Sequence, residues 1–478
     1  MENTYLQQVL RVLTKTEWKA FADFVASPYF NKNDKFVRFY KLLQPYFPHF
    51  ELTEKEKEKI YLTTTESKSY NDAGYRNLCS DFLALMMEFV AQESLKVGNT
   101  VKDQYLNSFL IDRKVLDLAE KNMKKVEVSI KKADLKLREK LYTAIWINDM
   151  RILYSIYNNI KNMHASNTVM LEDKTPNLIT EWTLMRVFSS IMNNNKAKRA
   201  INLPPEKEKL KIFLDLYEAF EPFEHKETKV IYLIFKMQYV ESGDQYYYEA
   251  LDIVKSLDYT QDRYTIENLV IGLLYYADRK VLVDESWRNE LFELYNVKIE
   301  KQLWRQIKGL SYASVFNIVI NALQLGKIEY AEYILEKYVL EVSEHIRATV
   351  YNLCHAWILF FKGEYESAHE AITQVVTENL LIKYELRSLQ CFIYLQKQEW
   401  DLLNAALESF RQFIAYNKNN LESAVTDQFN YVCKNIGALA KLHPDYKTKD
   451  KEKLIATLQE DNVSYMRNWM LQKIINGK

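Results

Sequence analysis

Glycine and proline are scarce in this sequence, with only 9 and 8 residues among 478. An average protein has about 12% of the two together. β-Hairpins and bulges depend on these residues, and nucleotide-binding folds depend on glycine-rich turns. The chain is also rich in Leu, Glu, Lys and Gln, which favour helices. The scarcity therefore excludes a fold built on a sheet and predicts an all-α protein.

Cysteine and net charge are limited as well. The four cysteines, Cys79, Cys354, Cys391 and Cys433, are far apart and form no CxxC pair, so we expect buried thiols in a reducing compartment. The 64 basic residues are balanced by 64 acidic ones. A chain with no net charge does not attract nucleic acids or anionic membranes over long distances.

Long apolar runs are missing too. No run reaches the roughly 18 apolar residues that a membrane-spanning helix requires, so no membrane partner is expected. The first residues, Met1-Glu2-Asn3-Thr4, lack the basic and then apolar layout of a signal peptide. These absences predict a cytoplasmic protein.

Motifs for catalysis and cofactor binding are also absent. The chain has no P-loop, dinucleotide-binding, nucleophile-elbow, HExxH or EF-hand pattern. His345, Cys354, His355 and His369 are the one local grouping of metal-ligand residue types, and their spacing does not suit a tetrahedral zinc site. We therefore expect no enzymatic activity, no catalytic residues, no metal and no cofactor.

Residues 1–165 are predicted to form an N-terminal all-α helical region. Thr14 and Glu17 have the spacing of a capping box, and Ser27-Pro28 ends the helix that follows it. The segment Ser27–Asn31, with sequence SPYFN, either fixes two helices together or presents Tyr29 and Phe30 to a partner. This segment resembles one in uncharacterised bacterial helical proteins, a resemblance that implies no activity.

The stretch 122–163 contains no glycine or proline and, if unbroken, would be a helix about 60 Å long. Its basic residues from Lys124 to Lys140 form a candidate RNA- or ribosome-binding face. Acidic residues are interleaved with them, which favours a solvated surface and makes nucleic acid an unlikely partner. Residues 166–205 are predicted to be an irregular connecting region, with turns at Pro176, 193–195 and Pro204-Pro205.

The chain becomes periodic within residues 206–478. Three segments read alike: Gly326-Lys-Ile328-Glu-Tyr-Ala331, Gly363-Glu-Tyr365-Glu-Ser-Ala368 and Gln398-Glu-Trp400-Asp-Leu-Leu403. Their spacings of 37 and 35 residues are close to the 34 of the tetratricopeptide (TPR) unit. This part resembles a degenerate TPR array, which implies an α-solenoid of helical hairpins. Weaker copies are predicted at Gly243-Asp244 and within 260–296, where the turn is expected near Ala277-Asp278.

In TPR proteins the first helix of each hairpin lines a concave groove. Most of the matching positions are apolar here, and we define the apolar groove as Phe316, Ile320, Leu323, Leu353, Trp357, Phe360, Phe392 and Leu395. Large apolar patches are rarely left open. The groove is therefore expected either to receive an apolar helix of a partner or to be covered by another part of the chain.

Residues 448–475 are predicted to form two short C-terminal helices. Segment 461–475 contains Trp469 and two methionines, which adapt to irregular surfaces. We expect it to pack back on the preceding helices, either as a cap or in the groove near Trp357. Together these features predict a non-catalytic intracellular scaffold or adaptor that binds another protein, with RNA or ribosome binding as the alternative.

Overall fold

The computed structural model describes most of the chain. The described residues are 4–96, 100–132, 135–157, 174–187, 190–191, 211, 214–215, 218–219, 224–239, 243–281, 284–304, 309–420, 423–442, 448–460 and 466–476. Every regular element in these residues is a helix and none is a strand, which confirms the all-α prediction. No helix in this part of the chain combines the length and apolar character that crossing a bilayer requires.

The chain divides into two compact units. The first contains Met1–Ala133 and Ile156–Asn159, and the second contains Asp134–Ser155 and Ile160–Lys478. The boundary that the sequence suggested at 165 lies outside the described residues. Most of the expected connecting region, including the turns at 193–195 and Pro204-Pro205, lies outside the described residues. Pro176 is described, and it lies within a helical stretch at 174–187, so the turn expected there was wrong.

The first unit contains seven α-helices among its described residues. They are α1 (Tyr5–Val12), α2 (Lys15–Ala26), α3 (Asp34–Leu43), α4 (Glu54–Thr65), α5 (Asp72–Ser94), α6 (Thr100–Asp112) and α7 (Leu116–Lys132). The capping box is present at α2: Thr14 Oγ1 accepts from the Glu17 amide at 3.2 Å, and the Glu17 carboxylate accepts from the Thr14 amide at 2.7 Å. The helix ends before Pro28, as predicted.

An aromatic core holds α2, α3 and α5 together. The ring of Phe82 meets those of Phe21 and Phe39, with centroids 5.4 and 4.9 Å apart, and all three side chains are fully buried. At the SPYFN turn, Phe30 stacks on Phe24 with centroids 4.1 Å apart, whereas Tyr29 is 81% exposed. Phe30 therefore holds the turn to α2, and Tyr29 remains on the surface.

The first helix of the second unit is α8 (Leu137–Tyr157), and residues 135–136 before it are not helical, so the helix suggested for 122–163 is interrupted before Leu137. Tertiary contacts stabilise the chain at this interruption. The Leu137 amide donates to the Asp262 carboxylate, and the Lys136 ammonium lies 4.3 Å from the Tyr264 ring centroid. The basic run from Lys124 to Lys140 is consequently not one helix face, because its two ends belong to different units.

The other helices of the second unit whose bounds the structure gives follow in chain order. They are α9 (Lys226–Tyr239), α10 (Asp244–Lys255), α11 (Arg263–Val281), α12 (Trp287–Glu300), α13 (Tyr312–Gln324), α14 (Ile328–Tyr338), α15 (Glu344–Lys362), α16 (Tyr365–Thr373), α17 (Leu380–Lys397), α18 (Trp400–Asn417), α19 (Ser423–Ala440), α20 (Thr448–Glu460) and α21 (Arg467–Asn476). The turn expected near Ala277-Asp278 was wrong, because both residues lie inside α11. Alanine favours a helix, and Ala277 is fully buried there.

The three repeat segments adopt the same turn. Gly326, Gly363 and Gln398 have φ angles of 72°, 84° and 58°, the left-handed conformation that ends many helices. In each case the next amide donates to the carbonyl five residues earlier: Lys327 to Ala322 at 2.9 Å, Glu364 to Leu359 at 2.9 Å, and Glu399 to Tyr394 at 3.0 Å. The following helices start at Ile328, Tyr365 and Trp400. The sequence spacing thus marks three equivalent hairpin turns.

These hairpins share one core. Helices α13, α15 and α17 pack against α14, α16 and α18 respectively, and α13, α15, α17 and α19 also pack in succession against one another. The side chains at the small-residue position, Ala331, Ala368 and Leu403, are fully buried. The resulting core extends from Leu137 in α8 to Ile474 in α21.

Candidate functional site

The eight groove residues lie on three successive helices. Phe316, Ile320 and Leu323 belong to α13; Leu353, Trp357 and Phe360 to α15; and Phe392 and Leu395 to α17. All are buried in one apolar cluster except Phe316, which is partly buried against it. The structure therefore brings together the residues that the sequence register selected.

The C-terminal helix α21 lies against this groove. The indole ring of Trp469 contacts the rings of Phe360 and Phe392, with centroids 5.4 and 5.0 Å apart. Trp357 lies behind them, 6.1 Å from Phe392. These contacts decide between the two positions expected for residues 461–475: the described part of that segment enters the groove near Trp357.

One face of α21 is buried at helical spacing. Met470 and Ile474 are 0% and 6% exposed and lie one helical turn apart, and Met466, the residue before the helix, is 1% exposed. Ile475, on the other face, is 69% exposed. These buried side chains and the groove residues belong to one apolar core, so the buried side of α21 packs within the same chain.

Polar contacts hold α21 at both ends. At its start, the Arg467 guanidinium lies 3.7 Å from the Glu285 carboxylate, and the Gln324 amide group lies 3.9 Å from the Met466 sulfur. Near its end, the Lys473 ammonium donates to the side-chain oxygen of Gln396. Burial lowers the pKa of Lys473. The helix therefore has a defined position along the groove.

Sequence reasoning missed these polar residues. Glu285 and Arg467 are distant in sequence, so no local pattern connects them. The two glutamines did carry a signal, because Gln324 follows Leu323 and Gln396 follows Leu395, in each case the last groove residue of its helix. An amide after the apolar positions of two repeats indicates a polar rim.

The charged neighbourhood of Arg467 is desolvated. Glu285 also pairs with Arg288, and these two side chains are 18% and 10% exposed, against 9% for Arg467. A carboxylate between two guanidiniums in a poorly hydrated site interacts more strongly than an exposed pair. The start of α21 is consequently fixed by charge as well as by apolar contact.

The histidine and cysteine grouping does not converge. The His355 ring stacks near Tyr351, with centroids 5.6 Å apart, and His369 Nε2 lies 3.2 Å from the Tyr394 hydroxyl. Cys354 is fully buried, and burial raises the pKa of its thiol. The described residues contain no cluster of His, Cys, Asp or Glu that could hold a metal ion.

Comparison with known proteins finds no matching family model, no matching curated protein and no matching solved structure.

Proposed function

We propose that this protein is a non-catalytic scaffold or adaptor whose second unit is a TPR-like superhelix and whose apolar groove binds a helix of another protein. The observation that carries the proposal is the packing of the Trp469 ring against the rings of Phe360 and Phe392. A groove that holds an amphipathic helix of its own chain has the shape and surface to hold a similar helix from a partner. The three equivalent turns support the repeat architecture.

The contacts of α21 describe the partner that the groove fits. Its buried residues correspond to apolar side chains at positions i, i+4 and i+8, with an aromatic residue at i+3. A basic residue at i+1 reaches Glu285, as Arg467 does. We therefore expect an amphipathic helix with one aromatic anchor and a cation near its start.

The partner helix has to compete with α21. A segment attached to the same chain has an effective concentration in the millimolar range, so binding in trans requires the partner to contact the groove more strongly or α21 to be weakened. The protein is accordingly expected to bind weakly in its native form and more strongly after Trp469 is truncated.

Affinity capture from the source cell tests this proposal. Bait proteins are the native chain, the Trp469→Ala variant and the Ile475→Ala variant as a matched control at an exposed position. We expect Trp469→Ala to enrich a partner that a synthetic peptide of residues 461–478 displaces. Equal capture by all three baits, with no displacement by the peptide, contradicts groove binding.

A reducing location is part of the proposal. The four cysteines are free thiols, and free thiols persist in the cytoplasm, where disulfides are rare.

RNA binding through Lys124–Lys140 is not favoured, because the run is divided between α7 and α8. Salt separates the two functions: phosphate contacts make affinity fall steeply with ionic strength, whereas groove binding is largely insensitive to it.

A further inference from the structure

A cavity lies between α16 and α17, and none of the apolar groove residues lines it. Its volume is about 380 Å³, and it is lined by His369, Ile372, Thr373, Val375, Thr377, Lys383, Leu386, Arg387 and Gln390. Helix α16 has 9 residues, whereas α18, the equivalent helix of the next hairpin, has 18. The early end of α16 leaves the first turns of α17 uncovered on this side.

The walls of the cavity are held in place. Between α16 and α17 the Val376 carbonyl accepts from the Thr349 hydroxyl at 3.1 Å. Asn379 donates to the Tyr312 hydroxyl at 3.1 Å and caps α17 by accepting from the Ile382 amide at 3.2 Å. A site that is already ordered loses little entropy when it binds a ligand.

The charged side chains that line the cavity are all cationic. It contains the cations Lys383 and Arg387 and no carboxylate. These two residues and Gln390 are spaced at i, i+4 and i+7, which places them on one face of α17. Glu378 pairs with Lys383 at 2.8 Å, but its side chain is 99% exposed. Such an exposed ion pair contributes little, so an anion can take its place at Lys383.

Hydrogen-bond donors remain available in the cavity. The Arg387 guanidinium donates to the Ser409 hydroxyl at 3.1 Å and has four further N–H groups. The Thr377 hydroxyl oxygen accepts from the Asn379 amide at 3.0 Å, which leaves its proton free to donate. Together with the Lys383 ammonium, these groups match the several acceptor oxygens of a phosphate or carboxylate.

Tyr394 orients the other polar residues of the lining. Its hydroxyl oxygen accepts from the Gln390 amide at 3.0 Å and lies 3.2 Å from His369 Nε2. Tyr394 therefore holds both side chains at the wall of the cavity.

We propose that this cavity binds a small organic anion, in which a phosphate or carboxylate group meets Lys383 and Arg387 and an apolar body packs against Ile372, Val375 and Leu386. The volume lies within the range of small-molecule sites, about 300–1,000 Å³. The combination of an apolar wall and an excess of cationic donors favours an amphiphilic anion over a free inorganic one. This site is independent of helix binding in the groove.

Titration of the full-length protein with three probes tests the proposal. Phenyl phosphate and benzoate carry the two candidate anionic groups, and benzyl alcohol is a neutral compound of similar size. We expect calorimetry or ligand-observed NMR to show saturable binding of at least one anion with a Kd of about 1 mM or tighter, and no such binding of benzyl alcohol. Which anion binds distinguishes a phosphate ligand from a carboxylate ligand. Equal binding of all three probes, or saturable binding of neither anion, overturns the proposal.

Two variants and one matched control locate the binding. Lys383→Gln is expected to weaken anion binding by about tenfold. Lys362→Gln is the control, because Lys362 also pairs with one glutamate and its side chain is 34% exposed, against 35% for Lys383. Leu386→Trp fills the cavity and keeps both cations, so it should abolish binding. Melting temperatures establish that each variant is folded. Unchanged affinity in folded Lys383→Gln or Leu386→Trp contradicts the assignment.

Discussion

The indole ring of Trp469 meets the ring of Phe392 edge to face, with centroids 5.0 Å apart and planes at 80°. Aromatic pairs favour this arrangement because the positive edge of one ring approaches the negative face of the other. The contact joins α21 to α17 at the apolar groove. The stability of the second unit should therefore depend on Trp469.

Replacing Trp469 with alanine should destabilise the second unit by about 2 kcal/mol or more, since the change removes contacts with two rings and leaves a void. Thermal unfolding measures this loss, and a dye that binds apolar surface should fluoresce more strongly with the variant. Ile475→Ala, at an exposed position of the same helix, should change stability by less than about 0.5 kcal/mol. Equal melting of the two variants contradicts the packing of α21.

The two buried alanines of the repeat should not tolerate larger side chains. Ala331 and Ala368 are fully buried at equivalent positions, so phenylalanine at either site should overpack the hairpin and cost about 1–3 kcal/mol. Chemical denaturation measures the cost. Ala348→Phe, on the exposed face of α15, is the matched control. A variant with both buried alanines replaced that unfolds like the native protein means that the repeat register is wrong.

Asn31 and Tyr29 should behave differently although they belong to the same turn. The Asn31 side chain is buried and donates to the Val25 carbonyl at 2.8 Å, so Asn31→Ala leaves a buried acceptor unpaired and should cost about 1–3 kcal/mol. Tyr29 is exposed, and Tyr29→Ala should leave stability within about 0.5 kcal/mol of the native value. Similar losses in both variants would mean that Tyr29 also holds the turn.

Stability should depend on pH through His225. Burial disfavours the protonated ring, but a 2.8 Å hydrogen bond to Glu181 and the charges of Glu181, Glu224 and Glu227 outweigh it and raise the pKa of His225 above its ordinary 6.5. Because the folded-state pKa is the higher one, the stabilisation is fully present below pH 6.5 and is lost as the pH rises through the folded-state value.

His225→Gln keeps a hydrogen-bond donor and removes the charge. The melting temperature of the native protein should exceed that of the variant most clearly at about pH 5.5, and the difference should shrink by about pH 8.5. His49→Gln in the first unit is the control for a general effect of losing a histidine. A native-minus-variant difference that is the same at both pH values would rule out the Glu181–His225 pair as its source.

Local chemistry determined much of this fold. The scarcity of glycine and proline predicted an all-α protein, and Thr14, Glu17 and Ser27-Pro28 located the ends of α2, because capping and proline geometry act within one turn of helix. The repeat turns could also be predicted from the sequence, since Gly326 and Gly363 occupy left-handed positions that favour glycine. The groove residues were selected by matching these hairpins to the TPR pattern that they resemble.

Only the tertiary structure decided what covers the groove and where the long helical stretch breaks. The contact of Trp469 with Phe360 and Phe392 joins segments that are remote in sequence, so helical periodicity could not choose between a cap and a groove ligand. The break before Leu137 depends on the distant Asp262, which accepts from the Leu137 amide, and no breaker residue marks it. The cavity at Lys383 and Arg387 arises from the early end of α16. Periodicity indicates which side of a helix faces the core. Contacts between remote segments of the chain decide which other segment that side packs against.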